Sequence, residues 1–489
     1  MNTDVNRRQR RTRRRTGGGA CRPWVASIGE RARFNRFGRM VDHRWYGSGA
    51  SADRDRYTYG YDRASNRLYR KNTLTTGRDE FYGYDQVNRL VEFARGELNA
   101  NKDGIMGTAA KAEEWGLDTT GNWDAFLQKT AGTTDLNQTR DHNPVNEITA
   151  ITAATGTDWA DPAHDRNGNM TTIPKPANLA EGLTATYDAW NRLVEVKDGE
   201  TVIARYEYDG LNRRIKSHID SGAPSNPSGI DTYVHYYHNS AWQILETRQS
   251  DTPSAQPETL QPKHQFVWSQ RYIDAAVLRD ENTGANGLCD DDRLYYLNDA
   301  NFNVTALLDT AGDALERYVY SPYGVGTIYD ATWTDTRSAS SYGNVTLYTG
   351  RELDPDTGLY YYRNRYYSAE LGSFVSRDPL GEVDGPSLYL YMLNAPTVAT
   401  DPSGRSASLD EHCLPSMYAV CIALVKALRG NTCGALEAFC SHIGRHPGKF
   451  NKNWLKMCLS LHNAVCWGRG KSHHISKDTL RQACKDLYG

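Results

Sequence analysis

The 489-residue chain has no long hydrophobic run. Nowhere do about 18 apolar residues follow one another, which is the length that a helix needs to cross the hydrocarbon core of a membrane. The Arg-rich first residues are also not followed by the apolar stretch that a secretory signal requires. The sequence therefore predicts neither a membrane-spanning helix nor a signal peptide.

Phenylalanine and methionine are scarce, with 10 and 7 residues, whereas tyrosine and glycine are abundant, with 31 and 42 residues. Tyrosine favours β-strands, and glycine is common in turns. The composition therefore favours turn-rich β structure, in which aromatic layers carry polar hydroxyl edges.

Positive charge is concentrated at the two ends of the chain, although the net charge is only −2. Residues 1–20 contain seven Arg and one Asp, and residues 405–489 contain 12 Lys or Arg against 5 Asp or Glu. The residues between these ends are consequently acidic. We predict that residues 1–30 form a basic, disordered leader. The alternative is an arm that binds nucleic acid or an anionic surface.

A short motif recurs through the body of the chain: Tyr-Asp followed within a few residues by Asn-Arg. It occurs at Tyr61-Asp62, Tyr84-Asp85, Tyr187-Asp188 and Tyr208-Asp209. The spacing within the two pairs is 23 and 21 residues, which indicates a repeat. Residues 165–169 form a related variant. The motif is absent between Glu97 and Asp141, and we predict an interruption of the repeats there.

Each repeat is predicted to be one strand, one turn and one strand, because Tyr favours strands and Asp and Asn favour turns. A single hairpin cannot bury both of its faces, so it is stable only beside neighbouring hairpins. We therefore predict a mainly β, solenoid-like array over residues 31–325. Only about a dozen hairpins fit at this period, so the array is expected to be incomplete and to leave sheet edges unpaired.

The stretch from Gly350 to Gly404 differs from the repeats in its density of tyrosine. Residues 360–367 are Tyr-Tyr-Tyr-Arg-Asn-Arg-Tyr-Tyr, and two Asp-Pro-x-Gly sequences begin at Asp378 and Asp401. This stretch closely resembles the RHS-repeat-associated core of RHS, or YD-repeat, proteins. The resemblance implies that residues 326–404 form this core, that the residues before it build a β-shell, and that residues 405–489 are an interchangeable C-terminal domain.

In RHS proteins of toxin systems, this core resembles an aspartyl self-protease that cuts just beyond the second Asp-Pro-x-Gly sequence. The resemblance therefore implies that Asp378 and Asp401 form an acid–base pair, with Arg377 tuning the charge of Asp378. The alternative is that both sequences are ordinary turns, in which Pro fixes φ and Gly admits positive φ. Arg405 stands where Leu commonly follows the second motif in the family. The sequence predicts no cofactor and no metal site.

Seven of the nine cysteines lie in residues 405–489. Apolar residues recur there at helical spacing, which predicts a small α-helical domain of about four helices. This many cysteines in a short domain favours disulfide bonds, and hence an oxidising compartment. Zinc binding is the alternative, but the cysteines are too far apart in sequence for a zinc knuckle. His473-His474 faintly resembles the His-His-Ile of HNH-type nucleases, with a surface loop as the alternative.

We predict an RHS-family protein whose β-shell carries or encloses a variable C-terminal effector in competition between cells. The alternative is a secreted or cell-surface structural or adhesive protein with a non-toxic, disulfide-bonded interaction tail. The first function predicts a cognate immunity protein and secretion machinery as partners, and a secreted or cell-surface location. The open sheet edges predict pairing with other copies or with further N-terminal repeats. Enzymatic activity depends on whether the core cleaves the chain.

Overall fold

A computed structural model of the chain describes residues 28–47, 51–176, 178–284 and 286–409. This part of the chain consists of β-strands, their connections and three short 3-10 helices, which confirms the prediction of a mainly β fold. No helix in the described ranges is long and apolar enough to cross a bilayer. The predicted leader before Ile28 and the predicted helical, cysteine-rich tail beyond Leu409 lie outside these ranges.

The first sheet has ten antiparallel strands, and each strand pairs with the next one along the chain. Its strands are β1 (Ile28–Phe34), β2 (Met40–Gly47), β3 (Ala52–Tyr61), β4 (Arg67–Asn72), β5 (Asp79–Tyr84), β6 (Leu90–Gly96), β7 (Lys111–Leu117), β8 (Trp123–Thr130), β9 (Thr133–His142) and β10 (Ile148–Thr155). This order is that of a continuous row of hairpins, as the repeats predict.

The second sheet has fifteen strands in the same sequential order. Its strands are β11 (Ala163–His164), β12 (Met170–Lys175), β13 (Asn178–Tyr187), β14 (Leu193–Asp198), β15 (Thr201–Tyr208), β16 (Arg214–Ile219), β17 (Thr232–His238), β18 (Ile244–Ser250), β19 (Pro262–Trp268), β20 (Ala276–Glu281), β21 (Asp292–Asn298), β22 (Val304–Leu308), β23 (Ala314–Tyr320), β24 (Gly326–Asp330) and β25 (Thr336–Arg337). A 3-10 helix, Pro257–Thr259, lies between β18 and β19. The hairpin array thus continues to Arg337, beyond the end at residue 325 that we predicted from the sequence.

Residues 338–409 follow the second sheet, and we call them the inner segment. The inner segment contains two small sheets and two 3-10 helices. These elements are β26 (Glu352–Asp354), β27 (Leu359–Tyr361), β28 (Tyr366–Ser368), β29 (Ser373–Phe374), β30 (Ala399–Thr400), β31 (Ser408–Leu409) and the helices Tyr348–Gly350 and Met392–Asn394.

Most turns that follow the odd-numbered strands share one design, which the turn between β13 and β14 illustrates. Asp188 Oδ1 accepts hydrogen bonds from the backbone N of Trp190 and of Arg192, at 2.9 and 3.1 Å. The Arg192 side chain closes the turn by donating to Asp188 Oδ2 at 2.7 Å. Asn191 has a φ of +60°, which Asn tolerates better than most residues. The Asp and Asn of the repeat are therefore turn residues.

In three of the four Tyr-Asp motifs, the tyrosine hydroxyl fastens its hairpin to the one before it. Tyr208 Oη donates a hydrogen bond to the backbone oxygen of Leu193 at 2.7 Å, and Tyr187 Oη donates to that of Met170 at 2.9 Å. Leu193 and Met170 each follow a turn directly, at a point where the strand register shifts. Such a bulge interrupts the ladder of backbone hydrogen bonds, so the tyrosine provides a donor where the ladder is irregular.

The region from Glu97 to Asp141 continues the array, so the predicted interruption there is wrong. The turn between β7 and β8 has the same design: Asp118 Oδ1 accepts from the backbone N of Asn122 at 2.8 Å, and the Asn122 side chain donates to Asp118 Oδ2 at 2.9 Å. The repeat was missed because Leu117 precedes Asp118 in place of Tyr. The Asp-x-x-Gly-Asn spacing, which also occurs in residues 165–169, was the available signal.

The edge of the array formed by these turns lies against the inner segment. Asn394 Nδ2 donates to the backbone oxygen of Gly121 at 2.8 Å, and Asn146 Nδ2 donates to that of Pro386 at 3.1 Å. All turns on this edge contain five residues except the connection 269–275. On the opposite edge the connections differ widely in length, from residues 131–132 to residues 97–110.

Tyrosine and tryptophan fill the space between the two sheets and the inner segment. One hydrophobic cluster combines buried residues of both sheets and of this segment. The ring of Trp123 in β8 meets the ring of Tyr323 edge-on at 4.6 Å, and the rings of Tyr367 and Tyr391 stack at 3.9 Å. Aromatic pairs of this kind stabilise a fold by about 0.5–1.5 kcal/mol beyond their buried area. The abundant tyrosine is therefore the main packing material of the interior.

The first strands of the array overlap its last strands. Trp45 Nε1 in β2 donates to the backbone oxygen of Asn298 in β21 at 2.8 Å, and Arg70 in β4 pairs with Asp299 at 3.3 Å. These contacts are made by side chains and not by strand pairing. Among the described strands, β1 pairs only with β2, and β25 pairs only with β24. The array thus surrounds the inner segment by overlap, and its first and last strands each keep one edge without a strand partner among the described residues.

Acid should weaken the turns, because their carboxylates accept hydrogen bonds best when charged. Burial raises the pKa of Asp188, but hydrogen bonds from Arg192 and Trp190 outweigh burial, and the pKa lies below its usual 3.8. A carboxyl group with a lowered folded-state pKa stabilises the fold above its unfolded pKa and loses this contribution as the pH falls through the folded value. We expect Asp188→Asn to lower the free energy of unfolding by about 1–3 kcal/mol at neutral pH. Urea denaturation should show a smaller loss near pH 3, and an equal loss at both pH values would contradict this role of the charge.

Candidate functional site

The two Asp-Pro-x-Gly sequences of the inner segment meet at one buried arginine. Both form turns, with Gly381 and Gly404 at positive φ. Arg365 places one guanidinium nitrogen, Nη2, 3.2 Å from Asp378 Oδ2 and 3.6 Å from Asp401 Oδ2. All three side chains are buried, with at most 6% of their surface exposed. The structure thus places the two carboxylates singled out in the sequence at a common cation.

The second of these turns belongs to a loop that is held at its backbone oxygens. Because β30 pairs with β31, residues 401–407 form the loop between them, and we call it the exit loop. Arg365 Nε donates to the backbone oxygen of Gly404 at 2.5 Å, and Asn364 Nδ2 donates to that of Ser403 at 2.9 Å. Gly404 has a φ of +65°, and a Cβ at this position would lie 2.3 Å from the backbone oxygen of Tyr362. Only glycine fits this turn without displacing its neighbours.

Asp401 and Arg365 contact opposite ends of one peptide group: Asp401 contacts the nitrogen of Arg405, and Arg365 contacts the oxygen of Gly404. Asp401 Oδ1 accepts hydrogen bonds from the backbone N of Ser403 and of Arg405, at 3.1 and 3.2 Å. The N of Arg405 and the carbonyl of Gly404 form one amide. A carboxyl group therefore lies at the nitrogen of the Gly404–Arg405 bond, and a guanidinium group lies at its oxygen.

Burial raises the pKa of both carboxyl groups above the usual 3.8. For Asp401, the guanidinium of Arg365 and the backbone N of Arg405 oppose burial without cancelling it. For Asp378, Arg365 again opposes burial, whereas the negative charges of Asp384 and Asp401 raise the pKa further. Two carboxyl groups with raised pKa values at one site are suited to act as proton donor and proton acceptor.

The Arg377 side chain lies away from Asp378, against a turn of the first sheet. Arg377 donates a hydrogen bond to Glu147 Oε1 at 2.6 Å and another to the Tyr389 hydroxyl at 3.2 Å. Glu147 ends the turn between β9 and β10, so Arg377 fastens the inner segment to the array. The cation beside the carboxylates is instead Arg365, which lies in the tyrosine-rich stretch of residues 360–367.

A third carboxylate holds the exit loop beyond the Gly404–Arg405 bond. Asp384 Oδ2 accepts a hydrogen bond from the backbone N of Ala407 at 2.7 Å, and Oδ1 accepts one from the Ser406 hydroxyl at 3.3 Å. Within the described ranges, no group of three or more His, Cys, Asp or Glu side chains could hold a metal ion. The site is therefore an arrangement of carboxyl groups and one guanidinium around a single peptide bond.

Two curated proteins resemble the chain over about half of its length. The chain is 28% identical over 249 residues to the tRNA3(Ser)-specific nuclease WapA of Bacillus spizizenii, a match that covers 50% of this chain and 9% of WapA. It is 27% identical over 259 residues to the toxin protein Tse5 of Pseudomonas aeruginosa, which covers 49% of this chain and 18% of Tse5. The chain thus spans only a small part of the length of these relatives.

A family comparison explains the repeated hairpins. Residues 187–223, which include the turns at Asp188 and Asp209, match the family described as RHS Repeat. The chain therefore contains an RHS repeat and is similar to proteins of that family. The fold is similar to that of a solved structure: the crystal structure of TcdB2-TccC3 matches 77% of this chain, with a TM-score of 0.55 and 20% identity, over 19% of that chain. At this identity the likeness concerns the fold alone.

Proposed function

We propose that this RHS-repeat protein forms a β-shell that carries a variable C-terminal effector, residues 405–489, in competition between cells. The observation that carries the proposal is the exit loop, which is clamped at Gly404 within a segment packed against both sheets. A chain that leaves an enclosing array at one clamped point can present the residues that follow as a separate unit. The resemblance to the nuclease WapA and the toxin Tse5 favours an effector as that unit.

The exit loop is also the proposed site of self-cleavage, at the Gly404–Arg405 bond. Arg365 polarises the Gly404 carbonyl and stabilises the negative charge that develops on its oxygen during attack by water. Asp378, in its ionised form, takes one proton from this water, and the hydroxyl adds to the Gly404 carbon. Asp401, in its protonated form, gives a proton to the nitrogen of Arg405, which leaves as an amine.

This division of roles follows from the contacts of the two carboxyl groups. Asp401 is assigned the role of proton donor because its carboxyl group contacts the leaving nitrogen: in the uncut chain the N–H of Arg405 donates to its Oδ1 at 3.2 Å. Asp378 shares Arg365 with Asp401, and its own turn is closed by a hydrogen bond from the backbone N of Leu380 at 2.8 Å. In this proposal Arg377 supports the site from a distance, by fastening the inner segment to Glu147.

Expression of residues 405–489 alone tests the effector proposal. We expect arrest of bacterial growth when this fragment is produced, because an effector acts without the shell that carries it. The fragment should be produced separately in the cytosol and in the periplasm, since its seven cysteines can form disulfide bonds only in an oxidising compartment. Colony counts after induction measure the effect, and cells that produce residues 28–404 are the matched control.

Normal growth in both compartments would favour the structural or adhesive alternative, provided that immunoblots show the fragment. Under the effector proposal, the partners are an immunity protein that blocks residues 405–489 and the machinery that exports the chain. The corresponding location is outside the producing cell or on its surface. Co-expression of the gene adjacent to the one for this chain should restore growth if that gene encodes the immunity protein.

A further inference from the structure

The outer face of the second sheet carries a row of apolar side chains near the edge formed by the turns. Strand register aligns its members: Val267 in β19 lies opposite Leu278 in β20, which lies opposite Tyr295 in β21. Leu297 continues the row two residues further along β21, on the same face as Tyr295. We define the apolar row as Ile215, Tyr237, Leu245, Val267, Val277, Leu278, Tyr295 and Leu297.

One end of the apolar row is covered, and the other end is open. Over β21, Leu297 and Tyr295 form a hydrophobic cluster with Ile28 of β1 and Trp45 of β2, and Leu297 is 1% exposed. Over β16 to β20 the row faces solvent, with Leu245 46% and Val267 50% exposed. Single exposed apolar residues are common on proteins, but a continuous row across five strands is a feature of interaction surfaces.

The cover ends at β1, which is an edge strand. Glu30 of β1 pairs with Arg271 in the connection between β19 and β20, so β1 lies above that part of the second sheet. Within the described ranges, residues 28–33 pair only with β2. A strand added beside β1 would therefore lie on the open part of the apolar row.

An unfilled cavity marks the boundary between the covered and open parts. Its volume is about 490 Å³, and its lining includes Ile28, Glu30, Trp45, Val277 and Tyr295. Side chains of β1 and β2 thus leave space above the row that a neighbouring strand could fill. The cavity, the uncovered row and the unpaired strand edge all occur at the same place.

The charges on β1 indicate the chemistry of the strand that fits there. Arg31 and Arg33 are exposed on the outward side of β1, and neither pairs with a carboxylate among the described residues. A second copy of β1 would place arginine beside arginine, which is unfavourable. The first 20 residues of this chain, with seven Arg and one Asp, are also positively charged and would be repelled by Arg31 and Arg33. Charge complementarity therefore favours an acidic strand.

We propose that β1 accepts an added strand from an acidic partner protein. Alternate apolar side chains of this strand would cover the open part of the apolar row, and the carboxylates between them would pair with Arg31 and Arg33. Strand addition supplies affinity through backbone hydrogen bonds, and alternate side chains supply specificity. This surface lies on the outside of the array and does not depend on self-cleavage or on the identity of the effector.

Binding of a synthetic peptide to the full-length protein tests the proposal. The probe is a fluorescent peptide of seven residues, the length of β1, that alternates Val with Glu. We expect a saturable rise in fluorescence anisotropy that weakens as salt is added. The same peptide with methylated backbone nitrogens should not bind, because it keeps the side chains but cannot pair as a strand.

Charge-reversal variants locate the peptide on β1. Arg31→Glu with Arg33→Glu should weaken binding about tenfold or more, since two attractive pairs become repulsive. Arg63→Glu with Arg166→Glu is the matched control, because these exposed arginines lie in the turns that follow β3 and β11, not on β1, and give the same change in net charge. The control should bind the peptide as tightly as the unmodified protein.

Other outcomes would overturn the acidic-partner proposal. Equal binding of the methylated peptide would show non-specific contact, and no binding of either peptide would leave β1 without this activity. A dimer in light scattering that dissociates when peptide is added would identify a second copy of this chain as the occupant. Peptide binding that appears only after deletion of residues 1–27 would identify the chain's own leader as the occupant.

Discussion

Asp401→Asn is expected to leave the full-length chain uncut, whereas the unmodified chain should separate into two fragments at the Gly404–Arg405 bond. The Asn oxygen can accept the hydrogen bonds that Asp401 accepts from Ser403 and Arg405, so the exit loop should keep its shape. Asn cannot give a proton to the leaving nitrogen, and loss of a general acid slows a reaction by about 10²–10⁴-fold. Denaturing gels measure the cut, and mass spectrometry of the new amino terminus identifies the bond.

Three variants separate the roles of the neighbouring side chains. Asp378→Asn should also abolish the cut, because it removes the proposed proton acceptor. Arg365→Lys should slow the cut without unfolding the protein, since Lys keeps the positive charge but cannot contact two carboxylates and a carbonyl oxygen at once. Asp103→Asn, in the exposed connection 97–110 on the opposite edge of the array, is the matched control and should cut normally. If the unmodified chain stays intact during long incubation between about pH 4 and pH 8, the site is a structural clamp and Arg405 marks a lost protease.

Arg365→Met should lower the free energy of unfolding by about 3–5 kcal/mol, because removing one partner of a buried ionic group leaves the other charges uncompensated. Methionine has a similar length, so the loss reflects charge and hydrogen bonding more than a cavity. The variant leaves Asp378 and Asp401 buried without a cation, and it removes the donor to the Gly404 oxygen. Urea denaturation followed by tryptophan fluorescence measures the difference.

The pH dependence of this loss identifies its cause. Without Arg365, burial alone should raise the folded-state pKa of both carboxyl groups further. A carboxyl group with a raised folded-state pKa destabilises the fold as the pH rises above its unfolded pKa, so the variant should approach the stability of the unmodified protein near pH 4. Arg377→Met is the control, because Arg377 is one-third exposed and pairs with Glu147. A loss that stays constant with pH would attribute the effect to packing.

The sequence was sufficient to predict the array because each turn is a local structure. The hydrogen bonds of the Asp188 turn join residues within four positions of one another, so the residues that form the turn also mark it in the sequence. The prediction failed at Asp118 because Leu117 precedes it, so the Tyr-Asp motif is absent although the turn is present. The tyrosine is dispensable for the turn itself, since its hydroxyl bonds to the preceding hairpin.

The site could be predicted only in part, because its members are distant in sequence. Asp378 and Asp401 belong to recognisable Asp-Pro-x-Gly turns, and the structure places both beside one guanidinium. That guanidinium belongs to Arg365, which lies in the turn between β27 and β28, and its position among tyrosines in the sequence does not identify its partners. Adjacency to Asp378 in the sequence favoured Arg377, but the side chains of adjacent residues need not point in the same direction. Arg377 accordingly contacts Glu147.

The unequal edges of the array have a practical consequence for anyone who alters the gene. Connections on the edge opposite the turns, such as residues 97–110 and 220–231, already differ in length, so an epitope tag or a fluorescent label inserted there should be tolerated. A tag inserted at Gly121 or Asn146 would instead displace contacts with the inner segment. Homologous chains can therefore gain or lose residues on one edge while the exit loop at Gly404 keeps its shape.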